Sequence, residues 1–152
     1  MTILEDTRQK TGKHDLKHEW FEAHGITLYR SKLPFGDYAP PPPVAIDTKA
    51  NMEEIAGNIC GKEHLRFINE CKAARDAGCQ LIILVENEDN IKSIYDVHQW
   101  KNPREAYSSK CVKGPQLEKA MFTIMDRYGV QFWFCAPDQS ADYIDRLIKE
   151  YG

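Results

Sequence analysis

The chain has 152 residues, 42% of them hydrophobic and 28% charged, which supports a real core and excludes disorder as the default. A net charge of -3 excludes a globally basic coat for nucleic acid, so any such affinity has to come from local patches. The length points to one domain over residues 1–152.

In chain order, residues 1–4 read as a short strand running into Glu5-Asp6-Thr7-Arg8. Residues 15–24 read as a helix with Leu16, Trp20 and Phe21 on one side and Gly25 as its stop. Residues 26–30 alternate as a strand does, and 32–37 extend it to Gly36-Asp37-Tyr38. The four prolines at 40–43 have no N–H to give a ladder and mark a stiff connection, with an antiparallel hairpin expected around it. Val44–Lys49 is the next strand. Helices follow over 53–59 and 62–77, the second carrying Phe67, Ile68, Cys71 and Ala74 at helical spacing and ending at Gly78. The apolar run at 81–85 has the character of a central strand covered on both faces. Residues 101–114 form a polar loop in which Lys101, Arg104, Lys110 and Lys113 outnumber a single acid, Glu105. A helix spans 115–128, capped by Gly129, then an aromatic strand at 130–135 and a last helix at 140–151 with Ile144, Leu147, Ile148 and Tyr151 facing inward. Strands alternating with helices imply a layered α/β domain.

Five cysteines, widely spaced and without a C-x-x-C pair, argue against structural zinc; in a chain showing no signal peptide they fit a reducing cytoplasmic setting. No apolar stretch reaches membrane-spanning length, so no membrane partner is expected. His14 and His18 are spaced i, i+4, but H-D-L-K-H is not H-E-x-x-H, and an exposed polar face is the better account.

The chemistry concentrates around Asp37, Asp47 and Lys49. Asp47 and Lys49 are two apart on a strand and project from one face, with Val44, Ile46 and Thr48 turned to a core and Ala45 leaving room. A carboxylate beside an ammonium, with Asp37 on an adjoining segment, can hold a divalent cation and place a water next to a phosphate. A lone D-x-K is more often a surface strand; the preceding Gly36-Asp37-Tyr38 and the Asp6-Thr7-Arg8 turn raise its weight.

On these residues the chain resembles the nuclease domain of the xeroderma-pigmentosum-group-F type, within the PD-(D/E)XK superfamily. Gly36-Asp37 stands at the family's G-D, Asp47-Thr48-Lys49 at its E-R-K, and Glu53, after three intervening residues, at its last acid. Asp6 and Arg8 fall at the early aspartate and arginine, and the likeness continues through Arg66 and Glu70 to Leu84-Val85-Glu86. Asp47 for Glu, Thr48 for Arg and Gln9 for Glu depart from the pattern.

The resemblance implies a restriction-endonuclease-like α/β fold, a three-layer domain with a central mixed sheet flanked by helices. It also implies a magnesium-dependent endodeoxyribonuclease, with manganese as a substitute, acting on branched or flap-containing DNA in recombination, repair or phage replication. Asp37 and Asp47 would be direct metal ligands and the main-chain carbonyl of Thr48 a third. Lys49 would orient or help deprotonate the attacking water, Asp6 would serve the ion through water or a second site, and Arg8 would contact the scissile phosphate. Arg66 joins Arg8 as a DNA contact; Arg104, Lys110 and Lys113 make 101–114 the local DNA-contact loop, with Trp100 and Tyr107 as stacking groups. Family members commonly pair their nuclease domains, so a homodimer through 130–135 and the last helix, or a replication or recombination protein partner, is expected. The competing readings are a catalytically silent relative that binds DNA or a partner protein, and a restriction-type nuclease cutting unbranched duplex.

Overall fold

The computed structural model describes residues 1–152, which divide into two compact units. The first takes in residues 1–42 with 76–78. It holds β1 (Thr2–Asp6), α1 (Asp15–Ala23), β2 (Thr27–Ser31) and β3 (Tyr38–Ala39). β1 is central: β2 pairs with it in parallel, Thr2 opposite Thr27, as a crossover through a helix requires, and β3 pairs with it antiparallel, Leu4 opposite Ala39.

This unit is organised around a polar cluster. Besides Leu33, its buried residues are Glu5 and Asp6. Glu5 Oε2 accepts hydrogen bonds from His18 Nε2 at 2.7 Å and from the Tyr38 hydroxyl at 2.9 Å, and Arg30 Nε lies 3.7 Å from Oε1. His18 is therefore the residue that docks α1, not part of an exposed polar face. Side chains two apart on a helix point to nearly opposite sides. Turning His18 inward consequently turns Leu16 and Trp20 outward, 83% and 54% exposed, against the expectation that they pack in. Trp20 stacks on His24 instead, and Phe21 lies edge-on to Tyr38.

Burial alone would push the Glu5 carboxyl up, but the hydrogen bonds from His18 and Tyr38 and the charges of His18 and Arg30 together hold it below its ordinary 4.5. A depressed carboxyl stabilises the fold fully above its unfolded value, and that stabilisation is lost as pH falls through the folded one. Glu5→Gln should therefore loosen α1 at neutral pH, speeding amide exchange over Asp15–Ala23 roughly tenfold, with the difference from wild type closing below pH 4.5. Equal exchange at pH 7 would refute this role for the cluster.

The second unit covers residues 43–75 and 79–152. It contains β4 (Val44–Lys49), α2 (Met52–Cys60), α3 (His64–Asp76), β5 (Gln80–Glu86), α4 (Gly114–Tyr128), β6 (Gln131–Cys135) and α5 (Ser140–Tyr151). The sheet order is β4-β5-β6, all parallel, with Asp47 opposite Ile83 and Ile83 opposite Phe132. Leu81 to Val85 of the central strand are all buried. Leu81, Ile83, Val85, Phe132 and Phe134 share one face with Met52, Ile55, Phe67, Cys71, Leu117 and Met121 of the helices. α5 packs against β4 and β5, contributing the buried Leu147. Helices on both faces of a parallel sheet make this unit a layered α/β structure, the expected class.

Four details correct the sequence reading. The proline run does not turn a hairpin: β3 pairs with β1 and β4 with β5, because Pro40–Pro43 removes the donors that would join them. Ala45, not Val44 or Ile46, packs on the main core, so Asp47 and Lys49 share the face of Leu81, Ile83 and Val85. Ile148 points outward, 49% exposed. Trp100 is buried in the core and so is no stacking platform, while Tyr107 is exposed.

α4 begins at Gly114, where a Cβ would stand 2.6 Å from the carbonyl oxygens of Val97 and His98, so only glycine admits this approach. It ends at Gly129, a left-handed cap with φ of 68°. All five cysteines are free thiols; burial, the largest cause, pushes Cys71 up to about 12, which suits a small apolar side chain. No helix is long and apolar enough to cross a membrane.

Candidate active site

β4 delivers Asp47 and Lys49 and ends there. Asn51 then starts α2: its Oδ1 accepts the Glu54 N–H at 2.8 Å, while Glu54 Oε2 accepts the Ala50 N–H at 2.8 Å. This reciprocal capping satisfies orphan donors and fixes the turn beside the two charged residues. Glu54 and Asn58, one helical turn apart, line one side of a cleft of about 550 Å3; Glu63, Arg66 and Glu70 on and before α3 line the other, with Asp47 and Lys49 on the strand.

Lys49 Nζ is 3.1 Å from Asp47 Oδ2 and sits over the ring of Phe67, so its charge is held at the edge of the apolar core. The Glu70 carboxyl stands against Asp47. Its withdrawal from water and then the Asp47 charge and hydrogen bond raise its pKa, with the Lys49 and Arg66 charges opposing the rise. Two acids forced together, one of them driven to keep its proton, are what a divalent cation relieves. Both are hard oxygen donors, which magnesium accepts while keeping several waters. No group of three or more His, Cys, Asp or Glu is placed to hold a metal ion, which argues against a closed structural site and leaves Asp47 and Glu70 as the carboxylates a cation here would meet. Thr48 is exposed and its side chain leaves the opposite face of β4, so only its carbonyl could join.

Glu70 is the site acid that motif reading did not assign. It lies on a separate helix, and the available signal was positional: Arg66 and Glu70 flank Phe67 and Cys71, the core residues of α3, on the adjacent face. Glu53, read at the family's last acid, lines a different recess with Cys60 and Arg104; Glu54 takes the place on the cleft.

In the first unit Asp6, Arg8 and Asp37 come together. Asp6 is buried; it accepts the Arg8 N–H and binds the Arg8 guanidinium, which also donates to the Leu33 carbonyl at 3.0 Å. The Arg8 side-chain hydrogen bond outweighs burial and holds the Asp6 carboxyl below its ordinary value. The Asp37 carbonyl accepts the Asp6 N–H at 2.8 Å, its side chain is exposed, and its charge acts on Arg8. Arg30 pins the same turn through the carbonyls of Thr7 and Gln9.

In the loop, Asn102 is buried and donates to the Val112 carbonyl at 2.8 Å, closing the segment. Lys101, Arg104, Lys110 and Lys113 are left exposed on it, with Arg104 and Lys110 lining one recess and Lys101 and Lys113 another.

Two solved structures resemble the chain: XPF from Aeropyrum pernix and XPF from Aeropyrum pernix in complex with DNA. Each is 17% identical with a TM-score of 0.48; the matches cover 98% and 97% of this chain and 60% and 63% of theirs. The chain thus spans about three fifths of the length of those chains. No family model and no curated protein matches it.

Proposed function

We propose that residues 1–152 form one restriction-endonuclease-like nuclease domain, a magnesium-dependent endodeoxyribonuclease that hydrolyses phosphodiester bonds in branched or flap-containing DNA during recombination, repair or phage replication. The observation that carries this reading is the cleft in which Asp47, Glu70, Lys49 and Arg66 meet. Asp47 and Glu70, with the Thr48 carbonyl, would hold the magnesium, and manganese could replace it. When bound, the ion offsets charge building on the phosphate and acidifies a water. Lys49 orients that water and opposes the negative charge that develops as it attacks. Arg66, 88% exposed with only a 3.8 Å pairing to Glu63, is free to reach a neighbouring phosphate. In the first unit, Arg8 offers a second phosphate contact, positioned by Asp6 and Asp37.

The test is one panel of labelled flap, fork, four-way junction and linear duplex with magnesium. Preferred cutting of branched forms supports the reading, and no cutting of any form overturns it. The 3.1 Å Lys49–Asp47 contact favours one alternative, a silent relative in which the lysine occupies the cation's place. Calorimetry with magnesium or manganese separates the two, since a silent relative has no need to bind either.

The exposed lysines of the 101–114 loop, with Tyr107 for stacking, would hold the flanking DNA. Lys110→Glu with Lys113→Glu should weaken binding and reduce the slope of log K against log salt by about 2. An unchanged slope removes the loop from the interface. Trp133, edge-on to Tyr143, and Ile148 are part-exposed together and offer the surface for a homodimer; light scattering decides it.

A further inference from the structure

Asn58 lines the cleft one turn beyond Glu54, yet its side chain makes no hydrogen bond within the protein. Its Oδ1 is buried without a donor, and the residue lines the cleft, so the amide's Nδ2 donor is set against that space rather than against a protein acceptor. A buried amide oxygen with no partner does not help hold a fold together. Its neighbours on α2 already supply the packing: Met52, Ile55, Ala56 and Ile59 are all buried. Every other polar side chain around the cleft is charged and has a counterpart. Lys49 meets Asp47, Arg66 meets Glu63, and Glu54 caps its helix. Asn58 alone is neutral and unengaged.

A phosphodiester presents acceptors only, so an open N–H in such a cleft is matched to a non-bridging phosphate oxygen. We propose that Asn58 donates from Nδ2 to the scissile phosphate, as an uncharged catalytic residue that stabilises the pentacovalent transition state. The inference rests on the nuclease reading of the same cleft. In the reaction a water oxygen forms the new bond to phosphorus and the bond to the leaving sugar oxygen breaks. One water proton ends on that leaving oxygen, and the other stays on the phosphate until released to solvent. The negative charge on the non-bridging oxygens rises on the way, and a fixed donor then gains strength without a proton changing hands. An amide suits the place because a third cation beside Lys49 and Arg66 would compete for the carboxylates that are to hold the metal.

The experiment compares wild type with Asn58→Leu and Asn58→Asp on a flap substrate, alongside thermal melting and side-chain amide resonances during titration with the dinucleotide dTpdT. Loss of the donor in Asn58→Leu should lower kcat about 10²- to 10³-fold with little change in KM. Melting should be unchanged or raised, because the orphaned oxygen is gone. Asn58→Asp, which keeps the shape and presents an anion, should fall at least as far. In wild type the Asn58 NH2 resonances should move on adding dTpdT. Wild-type kcat in Asn58→Leu, or a lowered melting temperature in both variants with an unmoved resonance, overturns the proposal. A moved resonance in a wild type that cuts no DNA instead overturns the nuclease reading and leaves a phosphodiester-binding cleft.

Discussion

Asp47→Asn is expected to abolish magnesium-dependent cleavage, lowering it by about 10³-fold or more while the melting temperature stays near that of wild type. The isosteric amide keeps the strand register opposite Ile83 and leaves the core face of β4 unaltered. What it removes is the negative charge that would hold a cation and that Lys49 approaches at 3.1 Å. Circular dichroism verifies the fold and the flap assay reads the loss. Cutting at the wild-type rate by a folded Asp47→Asn would end the assignment of this cleft.

Glu70→Gln is expected to raise stability and lower activity together. Withdrawal from water, followed by the Asp47 charge, holds the folded Glu70 carboxyl above its ordinary 4.5. The sign follows from linkage. A raised carboxyl favours the folded state fully below its unfolded value, and that contribution is lost as pH rises through the folded one. At pH 7 without metal, the burial of this carboxyl beside Asp47 therefore costs the wild type stability, a cost that the neutral amide removes. The melting temperature of the variant should exceed wild type at pH 7 and converge with it below pH 4.5. Its affinity for magnesium should drop, with cleavage lower by about 10²-fold. In wild type, magnesium affinity should climb with pH through the Glu70 titration, and the variant should lose that climb. A variant less stable than wild type at pH 7, with unaltered magnesium affinity, would show that the two acids do not share the site.

The elements of the second unit were readable from sequence because their periodicities and stops are strong. Val44–Lys49 and Ser140–Tyr151 fall at the expected bounds, and the apolar run at 81–85 forms the central strand. Which face of β4 met the core was not readable. Alternation in Val44-Ala45-Ile46-Asp47 favours the branched residues as core, but parallel pairing with β5, apolar on both faces, leaves both sides of β4 able to pack. The first unit eluded apolar pattern reading for a different reason. Its α1 is seated by a histidine on a buried glutamate, so the stripe of Leu16 and Trp20 carried no information about orientation. Glu70 was hidden because nothing in a D-x-K spacing marks which later helix returns over the strand.

The shared face of Asp47 and the core strands ties chemistry to registration. A slip of β4 by a single position against β5 would swap inside for outside along the whole strand and bring Thr48 under α2 and α3 in place of the two charges. On the proposed nuclease reading, a misfolded isomer with that shift would be inert as well as badly packed, and correct assembly of the interior would be the gate to hydrolytic competence.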